Sequence, residues 1–224
     1  MRKLLFALIA LTLVLGACGK KDEEQDPEET GVLPVSDEEL VANDEVAISI
    51  NDTEVLGNVY NLLYVQTKIQ LYNFGQDVED TDAVKEMTVN TLIEQELIKQ
   101  AAMDKGIEYS DEDVDAEYDK IMEDSGDNVT EFLEEYNLDA DAFKNQVSFS
   151  LYLNDYMESE LEVEVTEEDV EELYEELKEE TDELPEFDEV KDQLEEELKN
   201  REQQEKVREI LDGLKEDSTI ETHI

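Results

Sequence analysis

Two short stretches at opposite ends of the chain limit what it can fold into. Val46, Ile48 and Ile50 alternate with Ala47 and Ser49 near one end, and Ile220, Thr222 and Ile224 alternate at the other. Successive side chains of a strand point to opposite faces, so each stretch offers one apolar row. Asn51-Asp52 can turn the chain after the first stretch, and Thr53 to Leu56 then completes a hairpin. A lone hairpin is marginal in water. The distant C-terminal segment is therefore expected to return as a third strand, and everything between must fold back on itself to bring the ends together.

What lies between has helical period. Gly57 to Phe74 carries a broad apolar face that includes Tyr60, Leu63, Tyr64, Ile69, Leu71 and Tyr72. Thr81 to Lys105 follows, with Leu92, Ile93, Leu97, Ile98, Ala101 and Ala102 expected in the core, and Gly106 stands where a helix C-terminus wants glycine. Ser110-Asp111-Glu112-Asp113 is an acidic variant of a capping box and predicts a helix ending near Gly126. A short helix from Thr130 to Tyr136 comes next, then one capped by Asp139 and running to Leu161. Thr166-Glu167-Glu168-Asp169 opens another through Val170, Leu173, Tyr174 and Leu177. Asp188 is expected to cap a final helix of about 27 residues, about 40 Å long, ending at Lys215. The expected class is mainly α, with a small antiparallel sheet joining the two ends.

The chain has 66 acidic residues against 17 basic ones, a formal charge of −49. Nucleic-acid binding depends on Lys and Arg neutralising phosphates, so this balance excludes nucleic acid as a partner and disfavours anionic lipid head groups. Low hydropathy with high charge can also mean disorder, but 39% apolar residues in helical register argue for a folded body. The acidity reads as a solvated surface suited to a salty or alkaline exterior, where screening relieves self-repulsion.

Met1 to Ala17 has the layout of an export signal: Arg2 and Lys3, an apolar run from Leu4 to Leu15 broken by Thr12, then small residues. The run is shorter than the ~20 residues a spanning helix needs. Leu15-Gly16-Ala17-Cys18 resembles the lipobox of bacterial lipoproteins, which implies cleavage before Cys18 and lipid on its sulfur. The alternative is an ordinary secretory signal followed by a chance cysteine. Two acyl chains hold a protein stably where one does not, so lipid on Cys18 would anchor the chain to the cell membrane on its extracytoplasmic face. Cys18 is the sole cysteine, so no internal disulfide forms. Residues 19–44, with 10 acidic and 2 basic residues and two of the three prolines, read as a tether. As a flexible chain it would reach roughly 30 Å.

The segment "TLIEQELIKQAAMDKGIEYSDEDVDAEYDKI", residues 91–121, resembles PrsA- and SurA-type extracytoplasmic chaperones in its leucine-rich helix, Gly-Ile turn, Ser-Asp-Glu cap and following helix. "VTEEDVEELYEELKEE", residues 165–180, resembles the linker that leads into that family's parvulin prolyl-isomerase domain. "LPEFDEVKDQLEEELKNREQQEKVREILDGLKED", residues 184–217, resembles the helix that leaves it. The resemblance implies a helical module of SurA and trigger-factor type, with residues 45–163 as the SurA N-terminal-like part and 164–224 returning to it. Here the two flanking segments meet across Thr181 to Pro185, leaving no room for the roughly one hundred residues of such a domain. The family's isomerase site also uses histidines, and this chain has one, His223. Isomerase activity is not carried over.

Other chemistry is sparse. Cys18 and His223 cannot supply a nucleophilic triad, no glycine spacing fits a phosphate loop, and no cofactor is implied. Asp111-x-Asp113-x-Asp115 begins like a calcium loop but has Ala116 where glycine is required and Met122 at the position of the bidentate glutamate; these acids fit a helix N-terminus instead. The aromatics remain. Tyr60, Tyr64, Tyr72 and Phe74 on the first long helix, with Phe143, Phe149, Tyr152 and Tyr156 further on, either line a groove for unfolded or partly folded secreted chains or pack the core. The functional expectation is an anchored, non-enzymatic holdase; the alternative is a scaffolding lipoprotein that docks one folded envelope partner through its last helix.

Overall fold

The computed structural model describes residues 33–181 and 185–224. The signal sequence, Cys18 and the tether up to residue 32 lie outside the described residues, as do residues 182–184. The order is β1 (Val46–Ile50), β2 (Thr53–Leu56), α1 (Gly57–Asn73), α2 (Thr81–Asp104), α3 (Asp111–Glu135), α4 (Ala140–Glu160), α5 (Glu167–Glu180), α6 (Phe187–Glu216) and β3 (Ile220–Thr222).

The ends do meet. The sheet order is β2-β1-β3, antiparallel throughout, with Ile50 opposite Thr53 on one side and Ile220 on the other. The simple alternation expected for β1 is interrupted by a register shift between Val46 and Ile48. An inserted residue breaks the period of two, so Ala47 and Ile48 are both buried while Val46 is only half-buried.

One apolar cluster joins the sheet to α1 and α2 through Ile48, Ile50, Tyr60, Tyr64, Leu92 and Leu97. A second holds α3 against α4 and includes Leu62 of α1. A third packs α2 on α4 and receives Ile210, Leu211 and Leu214 from α6. The fourth joins α5 to the first half of α6 through Val170, Leu173, Tyr174 and Leu194. Helix α1 is enclosed on nearly every side, which suits a helix that is apolar around most of its circumference.

Several helix ends follow their local signals. Ser110 and Thr166 each form a full capping box, with Asp113 and Asp169 respectively. Gly106, at φ +81°, closes α2 as the Ile107 N–H donates to the Ala102 carbonyl at 3.0 Å. Two expectations fail. No break occurs near Gly126: α3 runs on to Glu135, because Val114, Tyr118, Ile121, Met122, Val129 and Phe132 form one stripe whose packing against α4 exceeds the cost of a helical glycine. The chain leaves α3 at Asn137, which takes φ +50°. Asp188 does not cap α6. Glu186 holds that position without a side-chain bond, and Asp188 lies in the first turn. The Tyr174 hydroxyl donates to the Pro185 carbonyl at 2.8 Å and the Tyr174 ring packs edge-on to Phe187, so the helix begins at Phe187.

The tether reading also needs correction. Residues 34–44 lie along α1, with Val35, Leu40 and Val41 packed on the first cluster. Helix α1 has no side-chain cap because its first amides, Gly57 and Asn58, donate to the carbonyls of Glu45 at 2.7 Å and Asn43 at 3.1 Å. Gly57 permits this approach: a Cβ there would stand 2.1 Å from the Ala42 oxygen.

Candidate functional site

The eight aromatics singled out from the sequence do not form one groove. Tyr60 and Tyr64 are buried one turn apart on α1, ring centres 5.7 Å apart. Phe143 is buried between α3 and α4, edge-on to Tyr118. Tyr152 and Tyr156 are buried between α2, α4 and α6, with Phe149 half-buried in the same cluster. The Tyr109 ring meets Tyr152 edge-on, and the Tyr109 N–H donates to the Tyr152 hydroxyl at 3.3 Å. These side chains are core, because once α1 and α4 pack against α2 their broad apolar faces are covered.

Tyr72 and Phe74 differ. They are 59% and 72% exposed where α1 gives way to the Gly75 turn. Met87 and Met103 of α2 and Leu56 are further exposed apolar side chains that the sequence reading passed over. Exposed aromatic and methionine side chains give adaptable, sequence-tolerant apolar contact.

The most organised polar group among the described residues lies on the buried side of α1, one turn before Tyr72. Lys68, the one charged residue of that helix, is enclosed and paired with Glu39. Glu39 also accepts from the Tyr64 hydroxyl at 2.8 Å and from the Ser36 N–H at 2.8 Å. Burial alone would raise the Glu39 carboxyl, but these donors, Lys68 foremost, outweigh it and hold the group at about 2. Burial and the nearby Glu39 charge push Tyr60 up to about 12. Tyr64 is raised by burial and by its hydrogen bond to Glu39. The Asn61 amide brackets Val41, accepting from its N–H at 3.0 Å and donating to its carbonyl at 2.8 Å. Lys68, the sole charge on a helix whose buried side is broadly apolar, seven residues after Asn61, was the available signal.

Between α6 and the α4–α5 connection lies an open cleft of about 490 Å³, lined by Glu162, Glu164, Glu202, Glu205, Glu209 and Lys206. Asp111, Asp113 and Asp115 sit in α3, not in a loop, and Asp113 is committed to Ser110, whose bonds hold its carboxyl below the usual range. Among the described residues no group of three His, Cys, Asp or Glu is placed to hold a metal, and no helix is long and apolar enough to cross a membrane. His223 Nε2 lies 2.8 Å from Ser49 Oγ on the sheet, an exposed pair.

The model of the SurA-like N-terminal domain matches residues 1–157. No curated protein matches the chain. The match stops inside α4, yet α6 packs on α2 and β3 pairs with β1, so the C-terminal part completes the same body. With seven-tenths of its length matched and a mainly helical fold closed by a small antiparallel sheet, the chain belongs to the SurA-like N-terminal domain family.

Proposed function

We propose that this protein is a membrane-anchored, extracytoplasmic holdase: a chaperone that shields unfolded or partly folded secreted chains without isomerising their prolyl bonds. The observation that carries the reading is the SurA-like N-terminal domain match, a chaperone-type module suited to polypeptide substrates. The exposed Tyr72–Phe74 corner supports it as an apolar contact that needs no particular client sequence. The acidic surface would favour basic or cation-bridged clients and repel the anionic envelope.

Anchoring rests on Leu15-Gly16-Ala17-Cys18, with lipid on Cys18 at the bacterial cell membrane. Mass spectrometry of the membrane fraction tests it: an acylated N-terminal Cys18 supports the anchor, and a chain that keeps Met1 refutes it.

The holdase reading is tested by suppression of aggregation across unrelated unfolding proteins, at salt high enough to screen general charge, with an equally acidic folded protein as control. Suppression beyond the control supports it. The second reading, a scaffold for one folded envelope partner, has α6 in its favour, a 30-residue helix with most of its surface exposed. Tight binding of one folded partner without general suppression would select it.

A further inference from the structure

The segment from Pro34 to Asn43 crosses α1 without joining a helix or a strand. It is not extended: residues 37–40 turn, with the Glu39 N–H donating to the Ser36 carbonyl at 3.0 Å, but the segment is tied to α1 largely through its backbone. Asn61 accepts from the Val41 N–H at 3.0 Å and donates to the Val41 carbonyl at 2.8 Å, and its amide also donates to the Asn43 side chain at 3.1 Å. Lys68 Nζ donates to the Pro34 carbonyl at 3.0 Å, and the Asn58 N–H donates to that of Asn43. The side-chain contacts are Glu39 on Lys68 and the Tyr64 hydroxyl, Asn43 on Asn61, and Val35, Leu40 and Val41 on the apolar cluster. Backbone capture, one charge-assisted anchor and a few apolar contacts are the elements of a peptide-recognition site. Lys68 is also a buried cation in a chain of net charge −49, so the cradle selects a carboxylate although the surface repels one.

We propose that the face of α1 formed by Asn61, Tyr64 and Lys68 is a peptide-binding site which residues 34–43 occupy in cis, and which client segments bearing an acidic residue followed by two apolar ones enter by displacing that strap. The inference rests on the chaperone reading and names its client class. A strap held in cis lowers the apparent affinity of this site for clients by the fraction of time it is bound, and at this site disfavours segments that lack the carboxylate, while the Tyr72–Phe74 corner stays open to other chains.

The test uses the full-length chain and a fluorescein-labelled peptide with the sequence of residues 33–44, followed by anisotropy. Wild type should take up little peptide because its cradle is filled. The Glu39→Gln variant, whose strap has lost its anchor, should bind roughly tenfold more tightly or better. The same peptide with Gln in place of its glutamate at Glu39 should lose most of that gain. Equal binding by wild type and a cooperatively melting variant, or indifference to the peptide's carboxylate, overturns the proposal. Should the variant not fold, hydrogen exchange on wild type decides. The Val41 amide must exchange through an opening that leaves β1 and α2 protected; exchange only on global unfolding makes the strap a fixed part of the fold and overturns the inference. Aggregation suppression reads the chaperone function separately. Suppression with a fixed strap overturns the site alone, and peptide capture without suppression overturns the chaperone reading alone.

Discussion

Asn51 and Thr219, 168 residues apart, exchange two hydrogen bonds: the Asn51 N–H donates to the Thr219 carbonyl at 2.8 Å, and the Thr219 N–H donates to Asn51 Oδ1 at 3.0 Å. Asn51 Nδ2 also donates to Gln100 of α2 at 2.7 Å, and the residue holds φ +53° at the hairpin turn. One side chain thus ties the hairpin, the returning strand and the second helix together. Replacing Asn51 by Gly keeps the backbone accessible and removes the side-chain ties, at an expected cost of about 1–2 kcal/mol. Alanine should cost about 1 kcal/mol more, because a Cβ without a local partner is strained in the left-handed region. Urea unfolding of the two variants checks the order, and a Gly variant less stable than the Ala variant would contradict it.

Glu39 makes a stability contribution whose pH dependence has a definite sign. Its carboxyl sits at about 2 in the fold against an ordinary 4.5, so the unfolded chain takes up this proton more readily. The contribution is complete above about pH 4.5 and disappears as the pH falls toward about 2. Glu39→Gln should lose about 2 kcal/mol at neutral pH. The gap to wild type should narrow across that window, and denaturant midpoints measured down its length should show a constant gap only if Glu39 is solvated.

Two glycines should respond to alanine with opposite signs. At Gly57 the new Cβ would sit 2.1 Å from the Ala42 carbonyl oxygen and 2.7 Å from Val41 Cγ2, so backbone must move; the expected loss is about 2–3 kcal/mol. At Gly213, inside α6, nothing lies within 4 Å of the added Cβ. There alanine should gain about 0.5–1 kcal/mol, by restricting the unfolded chain and favouring helix. Chemical denaturation of both variants makes the comparison.

Under the holdase proposal, Tyr72 and Phe74 should separate client binding from stability. Their joint replacement by alanine should change unfolding free energy by no more than about 0.5 kcal/mol, as expected for exposed sites, while lowering aggregation suppression. Phe143→Ala, in the core, should cost about 3–5 kcal/mol. Full suppression by the folded double variant would place client contact elsewhere.

With a net charge of −49, self-repulsion should weaken as salt is added. Raising salt from about 0.1 to about 1 M shortens the screening length from about 10 to about 3 Å, and the melting temperature should rise by several degrees. A melting temperature independent of salt would show that the acidic surface is already relieved by its own geometry.

The helix boundaries legible in the sequence are those set by groups within a few residues of one another. Ser110 meets Asp113 and Thr166 meets Asp169 through bonds that need only three residues of chain, and Gly106 supplies its positive φ wherever its helix packs. The period-two segments at the two ends likewise determined that a third strand would return to β1, since an apolar row on a lone hairpin has nothing to cover it. Packing decided the rest. Gly126 is carried through α3 by contact with α4, and Asp188 yields its capping position to the Tyr174–Phe187 contact. Which aromatics are core and which face solvent follows from how much of each helix its neighbours cover, so Tyr64, in mid-α1, is buried and Tyr72, in its last turn, is exposed. Residues 34–44 have a tether's composition and become structure because Lys68, buried by the elements around it, requires a carboxylate that Glu39 provides from across the fold.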